Sequence, residues 1–139
     1  MSCEVAHELL GPRDGPPVIL SCSLGTDCSM WDTQIPALSH RNRVVRYDLR
    51  GHGSSPAPVG PYAISDLGGD LLALMDRLEI ERASLCGVSI GAMTSIWVAA
   101  HAPERVHRLV LCCTSARGRW RPLRLRSDVG SRTAARSTI

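Results

Sequence analysis

The stretch Arg82-Ala-Ser-Leu-Cys-Gly-Val-Ser-Ile-Gly91 decides the fold. Its first seven residues have the apolar, Cys- and Val-containing character of a buried strand, and Ile90 to Ala100 reads as a helix ending near Pro103. Between them stands Gly87-Val88-Ser89-Ile90-Gly91, a G-x-S-x-G match. The pattern alone is weak, but a strand leads into it and a helix leads out. A serine so placed is held exposed at the end of a strand, as a nucleophile must be. Gly87 and Gly91 allow a sharp turn without Cβ clashes, and the helix N-terminus favours negative charge. The competing reading is a helix N-cap serine between two packing glycines.

Working outward, Val18–Cys22 follows the turn-forming Gly15-Pro16-Pro17 and reads as a buried strand, as do Val44–Tyr47 and Val106–Cys113. Cys3–Leu9 is an expected edge strand. Ile64, Leu67, Leu71, Leu72, Met75 and Leu78 recur at three- and four-residue steps, one face of a helix. Ser65 and Asp66 suit its first turn, while Gly68-Gly69 weaken it. Met30–Leu38 is a shorter expected helix, interrupted by Pro36. Strands alternating with helices predict an α/β fold, a mostly parallel sheet with helices on both faces.

Two further loops follow strands. A serine nucleophile that attacks a carbonyl needs two backbone N–H groups aimed at the developing oxyanion. One is that of Ile90, directly after the serine. Ser23-Leu24-Gly25-Thr26, after the first buried strand, is the candidate source of the other, with Thr26 preferred and Leu24 next. Asp48-Leu-Arg-Gly-His-Gly-Ser-Ser55 lacks both the Gly-Lys-Ser/Thr ending of a P-loop and Gly-x-Gly-x-x-Gly spacing. It reads as a polar turn ordering the mouth of a site, with His52 a turn residue between two glycines rather than a base.

Composition bounds the remaining possibilities. A chain of 139 residues with 44% hydrophobic and 21% charged residues can fill one globular core. No apolar run approaches the ~18 residues of a membrane span. The first ten residues lack a basic segment followed by an apolar one, so no secretory signal and a cytoplasmic location are expected. All basic residues are Arg, and seven of them fall within 117–139 against one acid, Asp128. The body before them carries −3 and this tail +6, so overall basicity is no argument for nucleic-acid binding. Cys22, Cys86, Cys112 and Cys113 lie in or beside apolar runs and are expected to pack as small hydrophobes. Neither the six cysteines nor the five histidines show metal-ligand spacing.

The motifs in combination resemble a known family. Ser-Leu-Gly-Thr at 23–26, Met30-Trp31-Asp32, Val-Val-Arg-Tyr-Asp-x-Arg-Gly-His-Gly-Ser-Ser-Pro at 44–56, Gly60-Pro61-Tyr62, Gly-Val-Ser-Ile-Gly and Ala-Ala-His-Ala-Pro-Glu-Arg-Val at 99–106 look like 3-oxoadipate enol-lactonases. The likeness covers roughly residues 4–116. It implies the α/β-hydrolase fold and a cofactor-free serine hydrolase. Its substrate would be a small carboxylate-bearing enol-lactone from aromatic catabolism. Ser89 would form an acyl-enzyme, and a His oriented by an Asp would move the proton.

The chain departs from that pattern after Ser89. The family order is Ser, Asp, His, both partners well downstream, whereas the histidines after Ser89 are His101 and His107 and the acids Glu104 and Asp128. None occupies a strand-end position facing Ser89, so the triad Asp and His are expected to be absent. Residues 1–116 then form the N-terminal part of a hydrolase domain. Residues 117–139, aperiodic and Arg-rich, form an expected disordered tail with the character of a shifted reading frame. The expectation is a truncated enzyme of weak or no activity. The alternatives are another hydrolase of this fold, such as a haloperoxidase-like esterase, and a non-catalytic fragment with a basic tail. That tail, residues 117–139, has Trp120 as its single aromatic, against the interleaved aromatics of single-strand binders.

Overall fold

The computed structural model describes residues 2–115, and the expected tail 117–139 lies outside the described residues. Five strands form one sheet in the order β1-β3-β2-β4-β5. They are β1 His7–Leu10, β2 Pro17–Ser21, β3 Arg43–Tyr47, β4 Ala83–Val88 and β5 Val106–Cys112. β1 lies antiparallel to β3 at one edge, and the other four strands are parallel. Of the residues before β1, expected to join an edge strand, Ala6 accepts the backbone N–H of Asp48 at its carbonyl at 2.9 Å, and the N–H groups turn to side chains of other segments. The N–H of Ala6 donates to Ser55 Oγ at 2.8 Å, and that of Cys3 to Asp70.

The sheet is covered on both faces, as the alternation of strands and helices requires. Ile19, Val45, Tyr47 and Leu85 pack with α2 (Ile64–Arg77) and α3 (Ile90–His101). Their neighbours along the strands, Leu20, Cys22, Val44 and the half-buried Cys86 and Val88, belong to the opposite layer. That layer holds the 3₁₀ turn Cys28–Trp31 and α1 (Ile35–Ser39). β2 connects leftward to β3, whereas β3 to β4 and β4 to β5 run rightward. Right-handed crossovers in both directions put the helices on opposite faces.

Two helix readings change. The segment expected as one helix over Met30–Leu38 divides into the 3₁₀ turn and α1. Pro36 does not interrupt α1; it sits in its first turn, where a missing N–H leaves no bond unmade. In α2, Gly68 is no weak point. A Cβ there would lie 2.0 Å from the Trp97 ring, so the glycine is what lets α3 approach. Nothing stands within 4 Å of a Cβ at Gly69. At the α2 N-terminus the Asp66 carboxylate accepts the N–H of Ala63 at 2.7 Å.

The cysteines divide differently from expectation. Cys22 is buried and Cys86 half-buried, but Cys112 and Cys113 are exposed. The cause is that β5 forms an edge of the sheet, and Leu109, Val110 and Leu111 are exposed with them.

Candidate active site

The parallel strands point their C-terminal ends to one side. Strand order reverses between β2 and β4, so the loops after these two strands diverge and leave a crevice beyond the strands' C-terminal ends, where α/β folds bind ligands. The loop after β2 is Cys22–Asp27, and the turn after β4 is Ser89.

Ser89 has φ 53° and ψ −114°. The left-handed conformation falls on the serine itself, not on its glycines, a strain worth ~1–3 kcal/mol of the kind found at functional sites. Gly87 and Gly91 serve instead as points of close approach. A Cβ at Gly87 would lie 2.5 Å from the backbone of Gly91 and Ala92, and one at Gly91 2.5 Å from the Ser21 carbonyl oxygen. α3 is thereby pressed onto the ends of β2 and β4 and starts directly beneath the crevice. The Ser89 backbone is held on both sides. Its N–H donates to the Cys112 carbonyl at 2.9 Å, and its carbonyl accepts the Met93 N–H at 3.1 Å. Ile90, 3% exposed, opens α3, and its N–H has no acceptor within the helix.

Thr26, the residue preferred as second oxyanion donor, has its amide engaged in a turn. Its N–H closes a turn onto the Ser23 carbonyl at 3.3 Å, and its hydroxyl donates to the same oxygen at 2.8 Å. The Leu24 N–H meets no acceptor among the described residues. Met30, noted in the sequence as part of a motif, organises this loop: its sulfur accepts the Ser23 N–H at 3.3 Å and lies 3.3 Å from the Thr26 hydroxyl oxygen.

The Asp48–Ser55 turn orders the crevice rim, as its sequence suggested. The Asp48 carboxylate accepts the N–H groups of Cys28 at 2.6 Å and Ser54 at 2.8 Å, so one buried side chain joins the loops after β2 and β3. Gly53, at φ 48°, passes so near that a Cβ would sit 2.1 Å from Asp48 Oδ2. Arg50 grips Asp70 of α2 through a two-pronged pair, Nε to Oδ2 at 2.6 Å and Nη2 to Oδ1 at 2.7 Å. The Tyr62 ring lies 5.4 Å from that guanidinium. Asp70 was not marked in the sequence; its position on the buried side of α2, among leucines, was the available signal. Burial, with Asp48 nearby, pushes the Cys22 thiol up to about 12 and the Cys28 thiol to about 11.

No described histidine or acid reaches Ser89, whose hydroxyl has no hydrogen-bond partner among the described residues. His52 is buried, with Nδ1 against the Arg50 carbonyl at 3.1 Å. His101 stacks on Trp97 at 4.2 Å at the far end of α3, about 18 Å along a twelve-residue helix. His107 is at the start of β5, the end opposite Cys112. Glu104 is exposed in the 3₁₀ turn Pro103–Arg105, and Asp128 lies outside the described residues.

A doubly wound sheet with a strained serine at its switch point defines the class. The chain belongs to the alpha/beta hydrolase fold family, whose model matches residues 16–134. It is 47% identical to 3-oxoadipate enol-lactonase 2 of Acinetobacter baylyi over 80% of the chain and 42% of that protein. It is 37% identical to 3-oxoadipate enol-lactonase 1 of the same organism, over 79% of the chain and 41% of that protein. The crystal structure of the enol-lactonase from Burkholderia xenovorans LB400 superimposes with a TM-score of 0.79 at 50% identity, covering 81% of this chain and 44% of that one. The chain therefore spans about two fifths of the length of the relatives it matches. Among the described residues no helix is long and apolar enough to cross a membrane.

Proposed function

We propose that Ser89 is the nucleophile of a carboxylic-ester or lactone hydrolase of enol-lactonase type. The observation that carries this reading is the strained Ser89 backbone at the β2–β4 crevice, with the N–H groups of Ile90 after it and of Leu24 in the β2 loop lacking an acceptor among the described residues. Ser89 Oγ attacks the acyl carbonyl carbon, and the carbonyl oxygen becomes an oxyanion. The N–H groups of Ile90 and Leu24 receive it, and the ring C–O bond of the lactone then breaks to leave an acyl-enzyme. Water hydrolyses that ester and restores the serine. The substrate is a small, soluble enol-lactone such as the 3-oxoadipate enol-lactone named for the relatives, and the setting is the cytoplasm.

A base for the Ser89 proton comes from outside the described residues. A serine with oxyanion donors but no base retains a small part of the rate, so the 139-residue chain acts slowly. The test is hydrolysis of p-nitrophenyl acetate and of 3-oxoadipate enol-lactone, with Ser89→Ala as control. Slow, Ser89-dependent release of p-nitrophenol supports the reading, and equal rates for the two proteins sink it. Faster turnover of simple esters than of the enol-lactone would favour a general esterase instead.

A further inference from the structure

At the end of the sheet opposite Ser89, where β3 begins, a cleft of about 370 Å³ opens between the end of β1 and the end of α2. Three arginines line it, each from a different segment: Arg13 from the β1–β2 turn, Arg43 from the start of β3 and Arg77 from the last turn of α2. Leu9, 51% exposed, and Leu10 form an apolar wall. Glu79 is the acid that lines the cleft, so its formal charge is three less one, or +2, in a body that carries −3. Among the described residues Arg46, Arg50 and Arg105 pair with carboxylates, whereas Arg13, Arg43 and Arg77 make no ion pair. A cleft lined by one sign of charge focuses its field and draws counter-ions.

The frame that carries these cations is closely fixed. Gly11 and Gly15 bracket Arg13, and a Cβ at either would lie 2.2 Å from the Asn42 and 2.7 Å from the Arg41 carbonyl oxygen respectively. The turn is thereby pressed onto the segment leading into β3. The Gly15 N–H closes it onto the Pro12 carbonyl, and the Arg43 N–H donates to the Pro16 carbonyl, each at 3.1 Å. The Arg43 guanidinium is held as well, with Nη2 donating to the Leu78 carbonyl at 2.9 Å just past α2. A neutral carbonyl orients that group without cancelling its charge. The C-terminal dipole of α2 accounts for cations at Arg43 and Arg77. It does not account for Arg13, which another segment brings to the same cleft.

We propose that this cleft binds a small phosphate monoester with an apolar body. A carboxylate offers two oxygens in one plane, which a single guanidinium fork satisfies. Cations converging from three segments suit a tetrahedral phosphate, whose three terminal oxygens face different directions. Near pH 8 a monoester carries a charge of about −2, which balances that of the cleft. Leu9 and Leu10 receive the organic part. The Ser89 crevice lies at the other end of the parallel strands, so such a ligand does not compete for it, and the proposal is independent of the nucleophile reading.

Isothermal titration calorimetry of the 139-residue chain at pH 8 and low salt tests it, with phenyl phosphate, inorganic phosphate and adipate as probes. Phenyl phosphate is expected to bind one-to-one and more tightly than inorganic phosphate, with adipate weakest. Arg13→Gln and Arg77→Gln should each weaken phenyl phosphate by about tenfold, the loss of one charge-assisted hydrogen bond, and the double variant by about a hundredfold. Both arginines are exposed, so circular dichroism should not change. Arg108→Gln, at an exposed position of β5 that does not line the cleft, should alter affinity by less than about twofold. A readout that needs no variant is the amide NMR spectrum of the unaltered chain, where shifts on titration should concentrate at residues 10–13, 43 and 77–79. No binding, adipate binding as tightly as phenyl phosphate, or shifts elsewhere would overturn the proposal. So would binding that survives in the double variant, as it would if the Arg-rich residues 117–139 held the probe. Binding by a chain whose Ser89 proves inert leaves this site intact and defeats only the nucleophile reading.

Discussion

The backbone N–H of Ser89 donates to the carbonyl of Cys112 at 2.9 Å, across the register that pairs Val88 with Cys112. One hydrogen bond thus ties the strained turn after β4 to the end of the neighbouring strand. The strain at φ 53° is therefore maintained by tertiary structure, since serine alone disfavours that conformation.

Ser89→Gly should relieve that strain, while Ser89→Ala should not. The glycine variant is expected to be more stable than the alanine variant by ~1 kcal/mol. Urea unfolding of the two, compared at equal m-values, measures the difference. A more stable alanine variant would show that the turn stores no strain.

Adjacent glycines in α2 should respond oppositely. Gly68→Ala drives a methyl into the Trp97 ring and is expected to destabilise by about 1–3 kcal/mol. Gly69→Ala meets open space on a helix and should stabilise by up to ~1 kcal/mol. Thermal melts of both variants decide the matter, and two effects of the same sign would contradict the packing described.

Asp70→Ala leaves the Arg50 guanidinium, 6% exposed, without its carboxylate, and the amide of Cys3 loses its acceptor. A loss of about 3–5 kcal/mol is expected, as for other half-removed buried pairs. The double variant Arg50→Leu with Asp70→Leu should lose less than the sum of the single changes. Additivity in that cycle would mean the pair is not coupled.

The Cys22 thiol, near 9 when unfolded, is held up to about 12 by burial first and by Asp48 second. The folded state therefore binds its proton more tightly, and stability from this group is fully present below pH 9. It is lost progressively as pH rises from about 9 toward about 12. Melting temperature should fall across that window, and Cys22→Ala should flatten the fall. At pH 8, Ellman's reagent should titrate the exposed Cys112 and Cys113 first, and Cys22 only on unfolding.

Much of the architecture was legible because each element carries its own period. Leu67, Leu71 and Met75 of the α2 stripe and the apolar runs of β2, β3 and β4 read correctly, since local sequence spacing determines which residues share a face; Leu74, outside the expected stripe, is buried beside them and Leu72 only partly. The turn at Ser89 was legible for a similar reason: G-x-S-x-G encodes a local turn, with glycines where backbones must approach. The choice among loop amides was not legible, because it depends on which N–H a turn has already engaged, as that of Thr26 is. The partnership of Arg50 with Asp70 joins residues twenty positions apart, and no periodicity announces such a pair.

The sequence by itself determined the alternation of strands and helices, the strand–serine–helix turn, and the charged turn after β3, because these depend on residues near one another in the chain. Tertiary structure alone decided that the strain falls on Ser89, that Gly68 exists for Trp97, and that the Thr26 amide is engaged in a turn while the Leu24 amide meets no acceptor among the described residues. It also decided that Val110 and Cys112 stand exposed at an edge. Those outcomes depend on which segments meet in space, and a chain read in order carries that information only implicitly.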